Sequence, residues 1–114
     1  MKGIKTNFNK LVRDNIPEII SRQDINPITR LLDDEEYLIA LDKKLNEEVL
    51  EYLADGSIGE ICDILEVIDA ICKARGISPD QIAALRSEKR NKNGGFDKRI
   101  FLEKVISGGH EHEE

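Results

Sequence analysis

Glu48 and Glu51, followed by Glu60 and Asp63, form two carboxylate pairs whose members stand three residues apart. On a helix that spacing stacks the two side chains of a pair one turn apart on one face. Between the pairs lies Asp55-Gly56, a turn signal that separates two helical segments. Antiparallel helices joined so tightly bring the end of one to the start of the next. Four carboxylates would then share a small volume, which is strongly repulsive unless cations hold it. Oxygen-only ligands at this density suit Mg²⁺ or Mn²⁺. Acids at this spacing are also common on solvated helix faces. Glu60 has a second use as a capping residue, and Glu47 reads as a solvated neighbour. The metal reading is favoured by the presence of a second pair, its position after a hairpin turn, and the apolar company of Asp63.

The elements that must position these acids follow from glycine, proline and the helical period. A short helix is predicted over Arg13 to Arg22, with Asp14 as cap and Pro17 in its first turn, where the missing N–H costs little. The second runs from Asp33 to Ala54 and carries the stripe Leu38, Leu41, Leu45, Val49 and Tyr52. Ser57 opens the third, with Glu60 completing a capping-box pattern, and Gly76 stops it after Arg75. That helix has two apolar stripes, Ile61, Ile64, Leu65, Ile68 and Cys72 on one side and Val67, Ala70 and Ile71 on another. A helix apolar on both sides is expected to be buried on both. Ser78-Pro79 begins the fourth, which ends at Asn93-Gly94-Gly95. Beyond it, Arg99 to Leu102 is expected to be a short extended piece and residues 107–114 a flexible tail. The expected class is therefore all-α: an antiparallel bundle of about four helices, residues 1–114 as a single domain, assembling as an oligomer.

At 114 residues the chain is the size of one domain. Its formal charge of −6 argues against a binder of polymeric nucleic acid, which needs a basic surface. Cys62 and Cys72 lie ten residues apart, neither a CxxC metal pair nor a disulfide framework, and both read as buried thiols. No apolar run approaches membrane-spanning length and no signal-peptide pattern opens the chain, so a cytoplasmic protein with no membrane partner is expected. No Gly-Lys-Ser/Thr is present to form a P-loop. His110 and His112 stand in an acidic tail and are given no role.

On Glu48-Val-Leu-Glu51 and Glu60-Ile-Cys-Asp63 the sequence resembles the all-α nucleotide pyrophosphohydrolases of the MazG-like and phosphoribosyl-ATP pyrophosphohydrolase-like superfamily. Lys10-Leu-Val-Arg-Asp-Asn-Ile-Pro-Glu18, Asn93-Gly-Gly-Phe96 and Arg99-Ile-Phe-Leu102 resemble one subgroup, so the likeness covers nearly the whole chain. It implies hydrolysis of a nucleoside triphosphate or related nucleotide to monophosphate and pyrophosphate, in some members for nucleotide-pool cleaning. Mg²⁺, or Mn²⁺, held by Glu48, Glu51, Glu60 and Asp63 would bridge phosphate oxygens and activate water. Bases must meet the phosphate charge. Lys10 and Arg13 in the N-terminal motif and Lys89, Arg90 and Lys92 near the glycines are the candidates, with Arg13 foremost, although each also reads as a solvated surface residue. Asn93-Gly94-Gly95 offers either backbone N–H groups to a phosphate or a helix stop. The two stripes of the third helix and the resemblance both point to a homodimer or homotetramer. Two alternatives stay open: phosphoribosyl-ATP as the nucleotide, and a noncatalytic helical interaction protein whose acids are merely solvated.

Overall fold

The computed structural model describes residues 8–108, and within them the chain forms four helices and no strand. These are α1 (Ile16–Ser21), α2 (Asp34–Asp55), α3 (Ile58–Ala74) and α4 (Pro79–Asn93). The all-helical reading is observed. The strand-like piece expected at Arg99–Leu102 is not. Among the described residues no second extended segment pairs with it, and Arg99 takes a left-handed φ of 60°, which interrupts an extended run at its first residue. The expected C-terminal tail, with His110 and His112, falls almost wholly outside the described residues.

The chain divides into two units, residues 1–79 and 80–114. The first contains α1, α2 and α3. Helix α1 is shorter than expected, and its N-cap is Asn15 rather than Asp14, without a side-chain cap bond. The Ile16 N–H donates to the Arg13 carbonyl at 3.1 Å, so residues 13–16 form a turn that uses up the residues assigned to the first helical turn. Pro17 does sit in the first turn, as expected.

Helix α2 starts on a full capping box. The Asp33 carboxylate accepts from the Glu36 N–H at 2.8 Å, and the Asp33 N–H donates to Glu36 Oε1 at 3.3 Å. Arg30 adds a two-pronged contact, donating to both Glu36 oxygens at 3.2 and 3.1 Å. The Arg30 hydrogen bond, then the Asp33 N–H, holds the Glu36 carboxyl below its ordinary range. A depressed acid stabilises the fold above its unfolded-state value, and that contribution is lost as pH falls through the lower folded value. Removing the cap in Asp33→Ala should cost about 1 kcal/mol, and Glu36→Gln should make the acid loss of helicity shallower, as read by circular dichroism across an acid titration. Unchanged acid unfolding would show that the box contributes nothing.

Gly56 closes α2 in the left-handed region at φ 69°, and Ser57 immediately caps α3 by accepting from the Glu60 N–H at 3.3 Å. The αL conformation at Gly56 reverses the chain in two residues. Helices α2 and α3 consequently pack on each other as a hairpin. Leu41, at 2 % exposure, and Val67, at 8 %, are the buried apolar residues of this seam, with Leu38, Leu45, Val49, Ile64, Ala70 and Ile71 half-buried around them.

The face of α3 turned away from α2 is uncovered within the single chain. Ile58, Ile61, Leu65 and Ile68 are exposed and Cys72 half-buried. Cys62 is exposed as well, which corrects the reading of both thiols as buried. It lies about 200° around the helix from Glu60, opposite the seam.

The second unit holds the body of α4 and the residues after it. Ile82 is half-buried, while Leu85 and the apolar residues from Phe96 to Ile106 are exposed. Helix α4 ends where the Gly94 N–H donates to the Arg90 carbonyl at 2.7 Å, with Gly94 at φ 86°. Of its two readings, Asn93-Gly94-Gly95 is seen here as a helix stop. No helix among the described residues is long and apolar enough to cross a membrane.

Candidate metal centre

The hairpin turn and the pitch of the helix place the carboxylates. Glu48 lies two turns before the end of α2, on the side that meets α3, and Glu60 and Asp63 occupy the first turns of α3. Glu48, Glu60 and Asp63 each offer an oxygen, and these atoms lie within 4.8 Å of one another. A second group of the same tightness joins Glu47, Glu48 and Glu51 along α2 itself. Glu48 belongs to both. Of the four acids singled out in the sequence, three converge from two helices, whereas Glu51 meets Glu48 only through the second group.

Glu48 is the unusual member. It is only 5 % exposed, and its Oε1 is buried with no hydrogen-bond partner among the described residues. A buried carboxylate oxygen without a donor carries a desolvation cost that a cation would remove. Its other oxygen, Oε2, lies 3.1 Å from the Lys44 ammonium. Glu60 is half-exposed, and its carboxyl is pushed above the usual range, first by desolvation and then by repulsion from Glu51, a hydrogen bond with Asp63, and the charges of Asp63 and Glu48. The cluster is thus short of positive charge even with its neighbouring bases in place.

Those bases come partly from the N-terminal motif. Arg13 Nη2 donates to Asp63 Oδ1 at 2.7 Å, and Lys10 Nζ lies 3.2 Å from Glu47 Oε2. The two N-terminal candidates for phosphate ligands, Lys10 and Arg13, are therefore already engaged by carboxylates of these groups. Glu47 proves to be more than a solvated neighbour. Burial alone would raise its carboxyl, but hydrogen bonds from Lys44 and Lys10 outweigh that and hold it low. Lys44 was missed in the sequence. Its ammonium bridges Glu47 and Glu48, and these bonds raise its pKa despite desolvation, which works to lower it. The signal was present as Lys at i with Glu at i+3 and i+4. Lys89 and Arg90 lie on α4 in the second unit; the Arg90 guanidinium packs over Gly95, with Nη2 3.3 Å from where a Cβ there would sit.

An uncharacterised protein of Mycolicibacterium smegmatis is 53 % identical to this chain over 45 residues, which cover 40 % of the chain and 46 % of that protein. The chain thus matches less than half the length of this relative. No family model and no solved structure matches the chain.

Proposed function

We propose that the protein is a Mg²⁺-dependent nucleotide pyrophosphohydrolase that cleaves a nucleoside triphosphate or related nucleotide to monophosphate and pyrophosphate. The observation that carries this reading is the buried Glu48, whose Oε1 has no hydrogen-bond partner among the described residues and whose carboxylate offers an oxygen within 4.8 Å of oxygens of Glu60 and Asp63. Three carboxylates with no nitrogen or sulfur donor among them fit a hard cation, Mg²⁺ or Mn²⁺. Such an ion, when bound, polarises phosphate oxygens and acidifies water.

The chain's own residues supply the rest. Glu48, Glu60 and Asp63 hold the cation at the mouth of the hairpin. Glu51 is exposed and lies outside that trio, so its carboxylate is left to orient the attacking water and take its proton. The Arg13 side chain is 54 % exposed and paired with Asp63. Its exposed bonds would let the guanidinium turn from Asp63 to the phosphates, for which its planar fork is well shaped. Lys10 stands beside it as a second phosphate contact.

The test is a panel of normal and modified nucleoside triphosphates, with phosphoribosyl-ATP included, incubated with Mg²⁺ and assayed for pyrophosphate and monophosphate beside a Glu48→Gln control. Release that vanishes in the control supports the reading and ranks the substrates. Turnover of phosphoribosyl-ATP alone would assign the other nucleotide. Absence of both turnover and Mg²⁺ binding would leave the noncatalytic interaction protein.

Self-association belongs to the same proposal. Ile58, Ile61, Leu65, Ile68 and Cys72 follow one another at spacings of three and four residues, the period of a helix–helix seam, and four of the five are exposed. A second copy presenting the same stripe covers it, as a homodimer or a tetramer built from two such pairs. Leu65→Glu should reduce the mass seen by light scattering to that of a monomer. A wild-type chain that is already monomeric at micromolar concentration would remove this part.

A further inference from the structure

Resting on the metal reading above, we infer that Lys44 is the resident cation of the Glu47–Glu48–Glu51 group, so that the chain loads a single divalent ion, at Glu48–Glu60–Asp63. Two three-carboxylate groups sharing one residue would ordinarily suggest a two-metal site, in which the ions sit about 3.5–4 Å apart. The two groups differ in what already occupies them. In the first, the Lys44 ammonium lies 3.2 Å from Glu47 Oε2 and 3.1 Å from Glu48 Oε2. In the second, the oxygen of Glu48 that Lys44 does not hold, Oε1, is buried with no hydrogen-bond partner among the described residues, and the Arg13 guanidinium pairs with Asp63.

The two bases also differ in their freedom to leave. The Lys44 side chain is 16 % exposed, against 54 % for Arg13. Lys44 lies on the same helix as its partners, at i+3 and i+4, so no movement between elements separates them. Withdrawing the ammonium would expose its methylene stem and strip the buried Glu48 Oε2 of its donor. Arg13 reaches its acid from the segment before α1, fifty residues away in sequence, and leaves by rotating about exposed bonds. Lys44 stands N-terminal to Glu48, the less favourable order for a helix ion pair. A role in helix propagation therefore explains the pair poorly. Lys44 acts as a positioning residue: it fixes Oε2 of Glu48, which leaves Oε1 as the single oxygen that Glu48 offers to the divalent ion.

The experiment is a Mn²⁺ titration of the full chain by calorimetry and electron paramagnetic resonance, without nucleotide, in wild type, Lys44→Met, Lys44→Gln and Lys44→Arg. Lys44→Gln carries the result should the methionine variant fail to fold. Wild type and Lys44→Arg are expected to bind one Mn²⁺ per chain. Lys44→Met and Lys44→Gln are expected to bind two, with the broadened spectrum of a close Mn²⁺ pair. Two ions in wild type, or one in all four proteins, would overturn the assignment of Lys44 while leaving the metal centre standing. Mn²⁺ bound only after Lys44 is replaced would also overturn it, by placing the sole site at Glu47–Glu48–Glu51. No binding in any of them would remove the metal reading itself, and the role of Lys44 with it.

Discussion

On the proposed pyrophosphohydrolase reading, Glu48→Gln is expected to remove divalent-cation binding and to cut turnover steeply while leaving the apo fold at least as stable as wild type. A catalytic cation supplies several kcal/mol of transition-state stabilisation, and each 1.36 kcal/mol is a factor of ten, so pyrophosphate release falls by about a hundredfold to a thousandfold. The stability half of the result is what separates a site from a structural acid. In the native chain Glu48 is 5 % exposed with one orphan oxygen, so its charge is held at a cost. Glutamine keeps an oxygen for the Lys44 ammonium and turns an N–H toward Glu60 and Asp63. Lys44 retains Glu47 at 3.2 Å. Calorimetric titration with Mg²⁺, together with the apo melting temperature, checks both halves. A drop in stability without loss of metal binding would mean that Glu48 serves the fold rather than a cation. Asp63 is the poorer position for this test, because its removal also takes away the 2.7 Å contact with Arg13.

Leu41→Ala is expected to remove a large share of the protein's stability. Deleting a buried leucine costs about 2–5 kcal/mol, against a total of about 5–15 kcal/mol for an ordinary domain. Leu41 is 2 % exposed at the centre of the α2–α3 seam, and Val67 is the other buried apolar residue described, so the loss falls on a thin core. Urea unfolding should show a markedly lower midpoint, with metal binding lost in parallel because the seam also brings Glu48 to Glu60 and Asp63. Leu65→Ala is the contrast. At 59 % exposure its side chain supports the isolated chain little, and its effect should grow with protein concentration if a second copy covers it. Equal destabilisation by the two substitutions, independent of concentration, would place the core elsewhere.

Much of the local structure was legible because it depends on neighbours in sequence. Pro17, Gly56, Ser57 with Glu60, Gly76 and Gly94 mark helix starts and stops through backbone conformation and capping bonds, all of which act within about one turn. The second helix was read to within a residue at each end for the same reason. Where a local signal had two uses, the sequence could not choose. Asp14 and Asn15 are both good caps, and the turn at Arg13–Ile16 selected Asn15. Arg99–Leu102 has strand-forming residues, but among the described residues there is no strand for it to pair with.

What the sequence determined by itself was the set of acids: two pairs at helical spacing on either side of a tight turn, which any antiparallel hairpin of these helices must bring near one another. Only the tertiary structure decided how that set divides. Packing of α2 on α3 buries Glu48 and leaves Glu51 in solvent, because exposure depends on which face meets the neighbour and not on spacing alone. It likewise decided that Arg13, fifty residues from Asp63, is its partner. The Ile61–Leu65–Ile68 stripe of α3 was visible from its period, but its exposure was not, since periodicity reports an apolar face without saying whether anything covers it.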